Sequence, residues 1–521
     1  MAESLLMEEL PIVRRLLDLP RAWTDRTVLR SAAGRLNFGE LREGMLRIAA
    51  WLATEAGVRS GDRVAICLPK SLEAVQTICG ILAAGAVYVP LQFRGPPARL
   101  AAILGSVEPR LLLTTGEMSV RLHALDRFAG APPVRTVDVK ADGRGLESLL
   151  SAIAPATSIP SVAPSDLGAI FFTSGSTGAP KGVMLSHGSM ATTLGLGRQT
   201  RQERPDDRLI SLAALHYVAS LELFLPIVRG SSMLLLSEDE CMFPERIASA
   251  IEKERVTQLQ VTATGLRLLF ERGALERRDL GSLLRVNFFG EPLPLPLLRR
   301  IMAILPRTEF VNIYGATEAS AMVAYKVPRP LPDEIHALPL GKPRPLYEVT
   351  LRDDTGAEVP RGEVGEICVT GPQVMSGYWN DPELTAARRV DVRTESYRTG
   401  DLGVMDDAGL LRLVGRKDQM IKLRGHRLDL GEIEAALRAH AAVRDAVALT
   451  VPAAQGDMQI RAFVLADASE RLAIDLGRLC RERLPRFAQP AGIEVLGQFP
   501  LLSTGKVDRQ ALKAFAAAEA L

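Results

Sequence analysis

Short apolar runs alternate with longer stretches of helical periodicity through most of the chain. RVAICLP (Arg63 to Pro69) is patterned as a buried strand. The segment SLEAVQTICGILAAGAVYVP follows with apolar residues at helical spacing, and Gly85 ends that pattern before VYVPL. The same rhythm returns at RLLLTTG (Arg110 to Gly116), DRLISLAAL (Asp207 to Leu215), SMLLLS (Ser232 to Ser237) and LLRVNFFGE (Leu283 to Glu291), each followed by a helix-like segment. Alternation of this kind predicts an α/β fold with mostly parallel, helix-covered sheets.

After about Pro339 the texture changes. YEVTLRDDTGAEVPRGEVGEICVTGP alternates apolar and polar residues between D-D-T-G and P-R-G turns, which predicts antiparallel hairpins in a small β subdomain. A third texture starts near Gly415, where IKLRGHRLDLGEIEAALRAH reads as a strand, a glycine turn and an amphipathic helix, and QIRAFVLA supplies another strand. The expected division is a large domain over 1–415 and a small α+β domain over 416–521. The Pro/Ser/Ala-rich stretch APATSIPSVAPSD (Ala154 to Asp166) reads as an exposed linker.

Composition narrows the ligand classes. A chain of 521 residues, 47% of them hydrophobic, can bury more than one core. Its 63 Lys and Arg balance 61 Asp and Glu without long blocks of either sign, so nothing predicts a nucleic-acid or acidic-membrane partner. The five cysteines, Cys67, Cys79, Cys241, Cys368 and Cys480, are scattered and never form C-x-x-C, which argues against a disulfide framework or zinc site. Glu3, Glu8 and Glu9 precede any basic residue, unlike a signal peptide, and no apolar run is long enough for a membrane span, so a cytoplasmic protein is expected.

One loop stands out chemically. FFTSGSTGAPKGVMLSH (Phe171 to His187) follows the apolar AIFF with Gly175 and Gly178, the hydroxyls of Thr173, Ser174, Ser176 and Thr177, and the ammonium of Lys181. Converging backbone N–H groups, hydroxyls and one cation suit a phosphate chain. The loop is not a Walker sequence, because Pro180 rather than glycine precedes Lys181.

TSGSTGAPKGV resembles the signature loop of the AMP-forming adenylating superfamily, which includes acyl-CoA synthetases, nonribosomal peptide synthetase adenylation domains and luciferases. Further segments match in order: LAAGAVYVPL (Leu82 to Leu91), NIYGATEAS (Asn312 to Ser320), YRTGDLG (Tyr397 to Gly403), GRKDQMIKLRGHRLDLGEIE (Gly415 to Glu434) and LLSTGKVDRQAL (Leu501 to Leu512). The resemblance covers nearly the whole chain. It implies that a carboxylic acid attacks the α-phosphate of ATP, giving acyl-AMP and pyrophosphate, and that the acyl group then passes to a phosphopantetheine thiol. A carboxylic acid is already ionised at neutral pH, so the first step needs alignment and charge neutralisation rather than a general base.

The same resemblance assigns expected roles. Residues Thr173 to Gly178 with Lys181 would wrap the phosphates, and Tyr314, Gly315, Ala316 and Thr317 would hold the adenine side. Asp401 and Arg416 would hold the ribose, Glu318 would orient Mg²⁺, and Lys506 would bridge carboxylate and α-phosphate. Lys506, Thr317, Glu318 and Lys181 are thus the candidate catalytic groups. Asp418 would mark a hinge about which a mobile small domain swings, turning the Lys422 to His426 region, with Gly425 as its tight point, toward the pocket for thiol transfer. Singly these residues have plainer readings. Glu318 could be an acid at the N-terminus of a helix EASAMVAY, Asp401 a turn aspartate, and Lys506 a solvated lysine after glycine.

Substrate choice rests on HYVASLELFLP (His216 to Pro226), which aligns with the segment that supplies an ammonium-binding aspartate in α-amino-acid-activating members. Here that position is Tyr217, so an ammonium would lose its partner. With His216, Gly290, Ile313, Ala321 and Met322 it would line a mostly neutral pocket. That suits an aryl or aliphatic acid, or an amino acid whose amine is held differently. His216 reads equally as a satisfied core histidine. No L-G-G-x-S carrier site occurs, so the expected acceptor is a carrier protein acting in trans, with CoA as the alternative. A silent homologue or a luciferase-like oxygenase also remains open, although Lys181, Glu318, Asp401 and Lys506 are all retained.

Overall fold

The computed structural model describes residues 12–124, 134–136, 150–173, 180–201, 204–335, 337–391, 394–417, 420–423, 426–453, 458–467, 470–500 and 507–518. Two large sheets carry the first three quarters of the chain. In the first, five parallel strands (Leu167–Thr173, Val87–Pro90, Arg63–Cys67, Leu111–Thr114 and Val134–Thr136) are extended at one edge by the antiparallel strands Lys181–Ser186 and Gly377–Tyr378. The second has nine strands. Its parallel centre runs Glu309–Ala316, Arg285–Phe289, Gln258–Thr262, Arg208–Ser211, Ser232–Leu235 and Thr27–Ser31, with antiparallel strands closing both edges.

The apolar runs make these central strands because both faces are covered. Val64 and Ile66 face one core cluster while Ala65 and Cys67 face another, all fully shielded. The helices Phe38–Thr54 and Leu72–Ala83 pack against each other, and their Leu41, Met45, Ile48, Val75 and Ile78 join one buried cluster with Tyr88 and Phe171 of the first sheet and Leu209 and Met233 of the second. The first of these helices starts with a capping box, Asn37 accepting from the Glu40 N–H while Glu40 accepts from the Asn37 N–H.

The change of texture after Pro339 is an antiparallel four-stranded sheet, in the order Glu348–Arg352, Val364–Thr370, Ser396–Met405 and Leu411–Arg416. Residues from 420 onward form a hairpin (Met420–Leu423 and His426–Asp429), the helix Leu430–Arg438, and a three-stranded sheet with the helices Glu470–Arg483 and Arg509–Ala518. Two buried clusters draw their members only from residues 421 and beyond. The stretch from Ala154 to Asp166 forms no strand or helix and is largely exposed.

Two readings are corrected. EASAMVAY is no helix: Ser320–Lys326 is a strand returning antiparallel along Glu309–Ala316, because its successive residues, apart from the bulged Met322, pair with Val311 to Ala316 rather than filling a helical face. Two antiparallel strands, Met420–Leu423 and His426–Asp429, precede the helix Leu430–Arg438, where one strand was expected. No helix among the described residues is long and apolar enough to cross a membrane.

Candidate active site

Asp401 ties the antiparallel sheet to the nine-stranded one. It lies in the strand Ser396–Met405 opposite Arg416, whose guanidinium Nη1 donates to Oδ1 of Asp401, and it is 6% exposed. The Tyr314 hydroxyl, from the strand Glu309–Ala316, donates to Oδ2. The Asp401 N–H donates to Thr399 Oγ1 at 3.0 Å, and Arg416 Nη2 to the Thr399 carbonyl at 3.3 Å. Burial, with the Asp401 charge beside it, holds the Tyr314 phenol well above its ordinary range, so Tyr314 stays a donor. This is more than a turn aspartate bonding its own backbone.

Thr317 and Glu318 sit in the tight turn between Glu309–Ala316 and Ser320–Lys326. Gly315 permits the turn: a Cβ there would lie 2.0 Å from the Ser320 carbonyl oxygen. Ser320 takes the left-handed conformation, with φ of 53°. Glu318 is 2% exposed. Its Oε1 accepts from the Tyr378 hydroxyl at 2.9 Å, and its carbonyl accepts from the Met375 N–H at 2.7 Å. Tyr378 belongs to the edge strand of the seven-stranded sheet, so Glu318 is held between the two large sheets.

Thr173 and Lys181 face each other as the last pair of the hairpin Leu167–Thr173/Lys181–Ser186. That pairing brings the two ends of the hydroxyl-rich loop together. Ser174, Gly175, Ser176, Thr177 and Gly178 lie outside the described residues, as do Asp418, Gly425, Lys506 and the side chain of Lys422.

The candidate acid pocket is partly assembled. Gly290 follows the strand Arg285–Phe289 with φ of 96°, a conformation that favours glycine. Ile313 and Ala321 lie on neighbouring strands. Met322 is the extra residue at the bulge opposite Tyr314 and Gly315, and it is wholly buried in the main core. His216 and Tyr217 precede the short turn Val218–Phe224, their rings 4.1 Å apart. Neither ring nitrogen of His216 has a hydrogen-bond partner among the described residues, unlike a satisfied core histidine. Burial, with His426 and Arg99 nearby, pushes the His216 pKa down to about 3, so the ring is neutral. Burial raises the Tyr217 phenol.

Three residues make contacts that were not visible in the sequence, although the segment from Lys422 to His426 is expected to face the pocket. Tyr378 is one. His426 is another: its Nδ1 lies 2.6 Å from the Tyr217 hydroxyl, so the small-domain hairpin reaches the candidate pocket. The third is Arg99, whose Nη1 pairs with Oε1 of Glu432 in the helix Leu430–Arg438. Nothing local in the sequence named these distant partners.

Among the described residues no group of three or more His, Cys, Asp or Glu side chains is placed to hold a metal ion. A single buried carboxylate such as Glu318 does fit Mg²⁺, a hard ion that commonly takes one or two carboxylates and completes its shell with phosphate oxygens and water.

Comparison with known proteins gives the same reading of the chain. Residues 19–379 match the family model described as AMP-binding enzyme, and residues 432–506 the one described as AMP-binding enzyme C-terminal domain. The chain is 32% identical over 523 residues to an L-proline–(L-prolyl-carrier protein) ligase of Streptomyces coelicolor, covering 95% of this chain and 96% of that protein. It is 33% identical over 492 residues to the phenyloxazoline synthase MbtB of Mycolicibacterium paratuberculosis, covering 94% of this chain but 40% of that protein. The amide bond synthetase McbA of Marinactinospora thermotolerans has the same fold, with a TM-score of 0.86 at 27% identity over 97% of this chain and 99% of that one.

Proposed function

The chain belongs to the AMP-binding enzyme family, and from that premise we propose that it is an AMP-forming ligase. It activates a carboxylic acid with ATP and passes the acyl group to the phosphopantetheine thiol of a separate carrier protein. The observation that carries this reading is the set of contacts by which three sheets meet: Tyr314 of the nine-stranded sheet with Asp401 and Arg416 of the four-stranded one, and Glu318 of the nine-stranded sheet with Tyr378 of the seven-stranded one. Full-length similarity to a carrier-protein ligase supports the choice of acceptor. We place the domain boundary at 415/416 by the change of sequence texture near Gly415; the separate cores begin at 421, and Arg416 itself still pairs with Asp401 in the four-stranded sheet.

The protein's own groups do most of the work by position. Asp401, steadied by Tyr314 and Arg416, presents a buried carboxylate that accepts from the ribose hydroxyls of ATP. Each of its oxygens has two lone pairs, so the two contacts seen leave acceptor capacity. Tyr314 lies beside the adenine. Lys181, at the mouth of the hydroxyl-rich loop, places a cation on the phosphates, and Lys506 spans the acid carboxylate and the α-phosphate. Glu318, held by Tyr378, is the metal ligand, and bound Mg²⁺ supplies charge neutralisation on the phosphates. Stabilising charge that develops during the displacement is the largest expected term.

The acid lies against Tyr217, with Gly290, Ile313 and Ala321 around it. Tyr217, Gly290, Ile313 and Ala321 carry no charge, which favours an aryl or aliphatic acid over a free α-ammonium. Acid-dependent ATP–pyrophosphate exchange over a panel of aryl, fatty, α-amino and β-amino acids tests the reading. Exchange with a neutral acid supports both chemistry and pocket. Exchange confined to α-amino acids overturns the pocket assignment, and no exchange with any acid overturns the activity.

A further inference from the structure

Four aromatic rings form a column that crosses from the large domain into the small one. His216 lies 4.1 Å from Tyr217, Tyr217 lies 5.3 Å from His426, and His426 stacks on Phe487 at 3.9 Å with planes 9° apart. The last two rings belong to the small domain: His426 opens the strand His426–Asp429, and Phe487 sits in the short turn Arg486–Ala488. A hydrogen bond of 2.6 Å between the Tyr217 hydroxyl and His426 Nδ1 joins the halves. Beside the column, the pair Arg99 and Glu432 makes a second tie, with side chains only 12% and 3% exposed. The helix carrying Arg99, Pro97–Val107, also touches the small-domain helix Glu470–Arg483.

These contacts depend on the domain arrangement. A buried phenol hydroxyl needs a partner, and the one Tyr217 has among the described residues comes from the other domain. Movement of the small domain would separate Tyr217 from His426 and Arg99 from Glu432 together. The flat stack on Phe487 fixes the plane of His426, so the ring meets Tyr217 in one orientation rather than as a loose surface side chain.

We propose that His426 is a positioning residue which the small domain adds to the acid pocket, acting through Tyr217, so that the acyl group is oriented a second time when the thiol attacks. This rests on the proposed acid pocket. An acyl group lying on Tyr217 would have that wall held by His426 in the arrangement seen here, and by other means once the small domain turns. The acid would then be discriminated in both half-reactions, by different residues.

The test compares half-reactions in the full-length enzyme: ATP–pyrophosphate exchange for activation, and single-turnover acyl transfer to a phosphopantetheinylated carrier protein. His426→Ala and Tyr217→Phe should each lose transfer roughly five- to tenfold more than exchange, about the worth of one buried hydrogen bond. The double variant should lose no more transfer than either single one, since both remove the same contact. His426→Asn, which keeps a polar partner, should recover part of the loss. Hydrogen exchange of peptides spanning 420–429 should be faster in Tyr217→Phe than in the parent, a readout that needs no turnover.

Equal losses in both half-reactions, additive single effects, or unaltered hydrogen exchange of that hairpin would each overturn the proposal. Absence of acid-dependent exchange in the parent protein would instead overturn the proposed activity, while the hydrogen-exchange comparison still decides whether Tyr217 holds the hairpin.

Discussion

The hydroxyl of Tyr378 donates to Oε1 of Glu318 at 2.9 Å, joining an edge strand of the seven-stranded sheet to a turn of the nine-stranded one. The proposed metal ligand is therefore oriented by a residue outside its own sheet. Glu318→Gln should lower ATP–pyrophosphate exchange on the order of 10²-fold. Tyr378→Phe keeps the ring but removes this hydrogen bond to the carboxylate, and should cost about tenfold with a raised requirement for Mg²⁺. A magnesium titration of both variants checks the order.

The same turn depends on Gly315. Gly315→Ala would place a Cβ 2.0 Å from the Ser320 carbonyl oxygen and 3.0 Å from the Ala321 Cα, both backbone atoms with little room to give. The variant should unfold about 1–3 kcal/mol more easily and should lose exchange as well, because Thr317 and Glu318 shift with the turn. Denaturant unfolding together with the exchange assay measures both.

Asp401→Asn leaves the guanidinium of Arg416 facing a neutral amide in a largely buried place. The expected result is a KM for ATP raised tenfold or more with a smaller change in kcat, since a ribose contact serves ground and transition states alike. A fall in kcat alone, with KM unchanged, would contradict the ribose role.

His216 makes stability pH-dependent. Its folded pKa is lowered to about 3, against an ordinary value of 6.5, so below that value the unfolded chain binds a proton that the folded one does not. The stability it supports is full above about pH 6.5 and is lost as pH falls toward 3, with a limiting slope of about 1.4 kcal/mol per pH unit. His216→Leu should lose less stability than the parent between pH 7 and pH 5, measured by urea unfolding at each pH.

Legibility in the sequence followed the range of the interactions. RVAICLP and LLRVNFFGE announced parallel strands because burial on both faces leaves an uninterrupted apolar run. The alternation after Pro339 announced antiparallel pairing. EASAMVAY was ambiguous because its small residues suit a helix as well as a strand, and only its pairing with Glu309–Ala316 decides the matter. Within the site, Tyr314, Glu318, Asp401 and Arg416 could be named from motifs. Their mutual contacts could not, because Tyr314 meets Asp401 across 87 positions and Glu318 meets Tyr378 across 60. The contact between Tyr217 and His426 spans 209 positions and depends on the arrangement of two domains, which no local pattern encodes.

The most direct test of the account identifies the nucleotide products of a single turnover with ATP, an acid that supports exchange and a phosphopantetheinylated carrier protein. The account predicts AMP and pyrophosphate, with one acyl group found by intact mass on the pantetheine arm for each AMP released. ADP and phosphate, or AMP release that does not depend on the acid, would contradict it.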